Sequence, residues 1–180
     1  MMTPAPTLTT QRLTLRGPVA SDLVPFTGMI VNSTRMGGLG GNGTENDAWG
    51  AFISGIGHWH MRGYGFFVVT DTATGTPLGR SGILNHVGWP EPELAYHMFD
   101  NGEGQGYAFE AGIAVRNWAG KILGLGPLVS IIAKTNTRSI ALAKRLGAVA
   151  ERDYVHGDED ATIYRHLAHD HPDAIAQVAA

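Results

Sequence analysis

Glu93 and His97 stand four residues apart in "ELAYHMF", whose alternation reads as a strand, so both side chains fall on one face. A carboxylate and an imidazole so placed can move protons, and an imidazole with an ordinary pKa near ~6.5 suits work at neutral pH. Directly after them, "DNGEGQGYAFEAG" carries Gly102, Gly104 and Gly106 into a helix-like run. Each glycine weakens a regular element by about 0.5–1 kcal/mol relative to alanine. Either the chain turns sharply here, or a ligand lies against bare backbone. A strand before the glycines and a long helix after them would gather backbone N–H groups at the positive end of the helix. Such a cradle holds a phosphate without a lysine. The third glycine of a dinucleotide fingerprint is replaced by Phe109, and no G-K-[ST] follows. The stretch is therefore a phosphate site of another kind, or a tight turn. Further on, Asn136 and Ser139 open the run "NTRSIALAKRLGA", where Asn136 suits a helix N-cap and Ser139 its polar first turn.

Other chemistry-bearing patterns are weaker. Gly38, Gly40 and Gly43 satisfy G-x-G-x-x-G, but a helix-like run precedes them and no early βαβ unit surrounds them, so a flexible loop is the better reading. A nicotinamide or flavin oxidoreductase would need that cluster. His58 and His60 flank Trp59 at a spacing that a helix splays apart, and His166, His169 and His171 fit no tetrahedral pattern, so no metal site is expected. The chain has no cysteine, which removes disulfides, thiolate metal sites and a cysteine nucleophile. A formal net charge of −3 without a basic cluster argues against nucleic acid or a polybasic membrane surface. No run approaches a membrane span and the first residues lack a secretory core, so the cytoplasm is the expected location.

The elements that must position these residues follow from periodicity. With 180 residues, 43% hydrophobic and 16% charged, the chain is long enough for one cored domain, and no composition shift marks a second. The expectation is a single domain over 1–180, with 1–7 and 172–180 as flexible ends. Strands are expected at Arg12–Pro18, "YGFFVVTD", "PLGRSGILNHV", Glu93–Phe99, "LVSIIAK" and "ATIYRHL". Helices are expected from Ser21 to about Asn32, over Asn46–Arg62, Gly106–Leu123 and Thr137–Leu146, the last closed by Gly147. "RMGGLGGNG" between the first two helices reads as loop. Mixed strands and helices with a central meander predict an α+β (mixed α/β) layer domain.

"GEGQGYAFEA" followed by "NTRSIALAKRLGA" resembles the two acyl-CoA motifs of the GNAT superfamily of N-acetyltransferases. "LTTQRLTLRGP", "GHWHMRGYG" and "IYRHL" extend the likeness, in order, to its RimJ/RimL-like ribosomal-protein N-acetyltransferase branch. The resemblance implies a GNAT fold: a mostly antiparallel twisted sheet of about seven strands, splayed between the fourth and fifth, with about four helices. It implies acetyl-CoA as co-substrate, its pyrophosphate on the amides of Gly104, Gln105, Gly106, Tyr107 and Ala108, and its thioester in a slot lined by Tyr96, His97, Met98 and Phe99. Glu103 stands where that signature usually has glutamine or arginine. Asn136 would contact the pantetheine arm. Ala143 occupies the place where many relatives carry a tyrosine acid, so Ser139 is the implied proton donor, with Glu93 or His97 as base. The implied activity is acetyl transfer to a primary amine, on a protein N-terminus or a small molecule, by a monomer or homodimer. A non-catalytic acetyl-CoA sensor of the same fold is the alternative.

Overall fold

The computed structural model describes residues 5–156 and 159–179. Of the ends expected to be flexible, residues 1–4 lie outside that description. In chain order the elements are β1 (Leu8–Thr9), β2 (Leu13–Arg16), α1 (Leu23–Asn32), α2 (Glu45–Arg62), β3 (Phe66–Asp71), β4 (Pro77–Leu84) and β5 (Glu93–Met98). They continue with α3 (Tyr107–Leu123), β6 (Val129–Ala133), α4 (Thr137–Arg145), β7 (Val149–His156), β8 (Glu159–Arg165) and α5 (Pro172–Ala179). The strands form one 8-stranded sheet in the order β1-β2-β3-β4-β5-β6-β8-β7. Every neighbouring pair is antiparallel except β5 and β6, which run parallel.

Two layers of helix cover the sheet. Leu13, Leu15, Phe67, Val69, Ile83 and Leu94 point from one face into Ala111, Val115, Trp118 and Ala119 of α3. On the other side, Phe26 and Met29 of α1 meet Ala48 of α2 and Phe99 just beyond β5. Local chemistry fixes the helix ends. A reciprocal capping box joins Thr44 and Asp47 at the start of α2, and Gly63 ends that helix at φ 75°. Gly147, at φ 84°, ends α4 as its sequence position predicts. "RMGGLGGNG" is not a bare loop. Thr34–Leu39 forms a 3₁₀ turn, and its Met36 is buried in the α1–α2 cluster.

The structure adds two strands and a helix to the predicted elements. The two-residue β1 is too short to show a period. In β7, "VAERDYVH" is an edge strand largely open to solvent, so its charged residues hide the alternation. The tail from Pro172 forms α5, with Ala174 fully buried and Gln177 accepting a 2.7 Å hydrogen bond from the Arg116 guanidinium of α3. Among the described residues, no helix is long and apolar enough to cross a membrane.

Candidate active site at the parted strands

Strands β5 and β6 pair at a single position, Glu93 opposite Val129, and then part. Parting leaves backbone amides of β6 without a strand partner, which is costly in a buried setting. Glu93 answers this directly, because its carboxylate accepts the Ile131 N–H at 2.9 Å. The side chain is 8% exposed. Burial raises its pKa to about 8, with the Ile131 bond pulling the other way.

Two cavities open from the parting. One, about 240 Å³, lies over the seam and is walled by Trp89, Glu93, Ala95, Ile131 and Glu159. The other, about 370 Å³, lies against the glycine turn and is walled by Met98, Gly104, Gly106, Tyr107, Ala108 and Arg138. Tyr96, His97, Asn136 and Ser139 line both. The parted strands thus lie between an acidic chamber over the seam and a second chamber beside the glycine turn, whose wall carries Arg35, Arg138 and Arg145.

The turn explains its glycines residue by residue. Gly104 and Gly106 have φ of +74° and +78°, a left-handed conformation that side-chain-bearing residues avoid. Gly102 is required by contact, since a β-carbon there would sit 2.2 Å from the Leu78 carbonyl oxygen. Gly106 is the N-cap of α3, and no side chain caps that helix, so its first N–H groups face outward. Arg12 braces the turn from behind, donating to the Gln105 carbonyl at 3.0 Å, pairing with Glu110 at 2.7 Å and lying 4.6 Å over the Tyr107 ring. Glu103 does not face the cradle as a bare anion. Arg138 holds its carboxylate at 2.7 Å, and Arg35 binds it as well while also donating to the Met98 carbonyl. Unclaimed amides plus two nearby guanidinium groups suit a doubly charged phosphate ligand.

The titratable residues at the junction differ sharply from their sequence reading. His97 accepts a hydrogen bond on Nδ1 from Arg80 Nε at 2.9 Å. Burial, with the Arg80 charge adding, holds its pKa well below the ordinary value, which removes it as a proton acceptor at neutral pH. Burial likewise pushes the Tyr96 phenol well up, helped by the charge of Glu93 and opposed by Ser130. The Tyr96 hydroxyl donates to the Ser139 carbonyl at 3.3 Å. Asn136 accepts the Ser139 N–H at 3.1 Å, which makes it the N-cap of α4.

Two residues expected at the coenzyme also have neighbours on other sides. Phe99 packs into the α1–α2 cluster, and its N–H is spent on the Leu78 carbonyl at 2.8 Å. Gln105 lies on the outer side of the turn, facing the groove between β1 and α3. Two of the five histidines considered for metal are drawn into the scaffold: His58 lies 2.7 Å from the Tyr64 carbonyl and accepts the Asn85 N–H, and His166 meets Ser130 at 2.9 Å. Arg12, Arg35 and Arg138 are additions, and the partners that place them lie 35 to 98 residues away, beyond any spacing rule.

The architecture and the site agree with what the chain resembles. A family model for the GNAT acetyltransferase domain matches residues 12–149. No curated protein sequence matches the chain. Among solved structures, an acetyltransferase from Agrobacterium tumefaciens is 34% identical, covering 93% of this chain and 97% of its own, with a TM-score of 0.84. A Vibrio cholerae protein described as a ribosomal-protein-serine acetyltransferase is 25% identical over 93% of this chain and 99% of its own, at a TM-score of 0.74. A spermidine N-acetyltransferase from Vibrio cholerae, solved with CoA and spermine, shares the fold at 19% identity, covering 84% of this chain and 93% of its own, with a TM-score of 0.66. Parted strands, uncapped glycine turn and family match converge: the chain belongs to the GNAT acetyltransferases.

Proposed function

We propose that this single-domain protein moves the acetyl group of acetyl-CoA directly to a primary amine, on a protein N-terminus or a small molecule. The observation that carries this reading is the meeting of the two cavities at Tyr96, His97, Asn136 and Ser139. Two reactants entering from opposite sides would meet there, and holding them together supplies much of the rate. The amides from Gly104 to Ala108, with Arg35 and Arg138, hold the pyrophosphate, while Met98 and Asn136 flank the pantetheine arm. Bound there, the coenzyme supplies an activated acetyl thioester.

The chain's own groups manage the protons. The charged side chains walling the seam cavity, Glu93 and Glu159, are both acidic, which suits an ammonium-bearing acceptor. Glu93, with a pKa raised to about 8, accepts a proton from the ammonium far more readily than an ordinary carboxylate would. The amine nitrogen bonds to the acetyl carbon, the carbon–sulfur bond breaks, and the sulfur takes a proton from the Ser139 side of the junction. The ribosomal-protein and spermidine acetyltransferases of similar structure represent the two acceptor classes in view.

The test is thiol release from acetyl-CoA over a panel of N-terminal peptides, polyamines, aminoglycosides and amino acids. Turnover with at least one amine, with the acetyl group recovered on nitrogen, is expected. Saturable acetyl-CoA binding with no transfer to any amine would make the chain a sensor instead.

A further inference from the structure

His97 is the one junction residue whose protonation the structure fixes outright. Its Nδ1 lies 2.9 Å from Arg80 Nε. A guanidinium can only donate, so Nδ1 must accept, and the single proton of the neutral ring must sit on Nε2. Arg80 is itself held firmly. Its guanidinium lies 4.3 Å from the Phe26 ring centroid and 4.2 Å from that of Phe66, stacked between apolar faces. Burial lowers its pKa to about 9, which leaves it a cation at neutral pH. The charge acting on His97 is that of Arg80 on β4, and the ring also packs on Phe66 of β3, 5.3 Å between centroids.

Strand order gives the direction of the remaining nitrogen. β5 has β4 on one side and the parting from β6 on the other. Nδ1 is turned to β4, where Arg80 sits directly opposite in register. Nε2, on the far side of the ring, is turned away from β4, and His97 borders both cavities. An N–H held at the point where the two chambers meet lies where negative charge grows on the acyl oxygen during transfer. One well-placed donor of this kind contributes about 10²–10³ in rate.

We propose that His97 serves as a fixed Nε2–H donor to the acyl oxygen, not as a base, and that Arg80 is the positioning residue that locks this tautomer. The assignment rests on the acetyl-transfer reading of the junction. The step it assists keeps the balance given above: the proton on Nε2 stays there, and the amine proton goes to Glu93.

Nitrogen NMR of histidine-labelled protein tests the lock without any turnover. His97 should show the Nε2–H tautomer at every pH from 5 to 8, with no titration, and Arg80→Met should let the Nδ1–H tautomer appear while burial still keeps the ring neutral. His97→Gln and His97→Asn then test the donor. The glutamine amide reaches about as far as Nε2 and should keep kcat within about tenfold. Asparagine and leucine, which cannot reach, should lose about 10²-fold in kcat with acetyl-CoA affinity unchanged. An Nδ1–H tautomer, a titrating His97 in the unaltered protein, or equal damage from glutamine and leucine would overturn the proposal. Failure of acetyl-CoA to bind the unaltered protein would instead remove the transfer reading, and the donor role with it.

Discussion

The glycine turn and the seam chamber lie on either side of Tyr96 and are built on opposite plans. The turn is made of backbone: left-handed glycines, an uncapped helix start and amides that owe nothing to side-chain identity. Of its charged residues Arg138 and Glu103 sit at the surface, at 58% and 40% exposure, and Arg35 beneath them is 18% exposed. The chamber is made of side chains whose chemistry is set by burial. Glu93 is shifted up and His97 down by the same loss of water. The contrast teaches that a phosphate can be held by conformation, whereas proton transfer needs controlled solvation.

Breaking the chamber should have the largest effect. Glu93→Gln keeps an oxygen for the Ile131 N–H but cannot take a proton, so kcat/KM should fall by 10²-fold or more. The unaltered enzyme should gain kcat/KM as pH rises toward about 8, and this limb should vanish in the variant. Stability should move in the other direction. Because the folded pKa of about 8 lies above the ordinary value of 4.5, the folded chain holds the Glu93 proton more tightly. That contribution is full below pH 4.5 and is lost as pH rises toward about 8, so Glu93→Gln should melt higher than the parent at pH 8–9.

Next in size, Ser139→Ala should lower kcat by about 10²-fold with little change in the acetyl-CoA Michaelis constant, as steady-state kinetics would show. A loss below threefold would transfer the proton-donor role from Ser139 to water. The turn is broken more gently. Gly106→Asp places a carboxylate at φ +78° among the amides, and calorimetry should find acetyl-CoA affinity down by about tenfold, roughly 1.4 kcal/mol. The smallest effect tests the surface plan. Glu103→Gln releases Arg35 and Arg138 from their carboxylate and should tighten CoA by about threefold, roughly 0.65 kcal/mol. Since exposed charges are screened, the gain should disappear at 1 M salt.

This difference in plan also decides how much could be read in advance. Glycines announce a strained backbone, so Gly104 and Gly106 point to the cradle from the sequence alone. Periodicity likewise yields β2 to β6, β8 and the four longer helices. Glu93 is visible as an acid on a strand, but its shifted pKa depends on β6 leaving β5 after one pair, which no local pattern encodes. His97 carries no sign of its partner, because Arg80 is seventeen residues away and meets it through the β4–β5 register. Arg35 reaches Glu103 across sixty-eight residues. Local conformation is written in local residues, whereas protonation follows from whatever the fold brings near.

The single backbone pair at the seam has a mechanical meaning for the whole molecule. On one side stand β1 to β5 with α3, and on the other β6, β8 and β7 with α4, which keep an apolar cluster of their own in Ile132, Ala143, Ala148 and Tyr164. Across the seam the backbone ladder is a single pair, and side chains add the remaining ties: Glu93 to the Ile131 N–H, Ser130 to the Leu94 carbonyl, Tyr96 to the Ser139 carbonyl and Arg138 to Glu103. With so short a ladder, amide exchange in β6 and β8 is expected to open ahead of that in β2 to β5, and hydrogen-exchange mass spectrometry would show it. A ligand bridging both halves would raise the free energy of such an opening by its own binding.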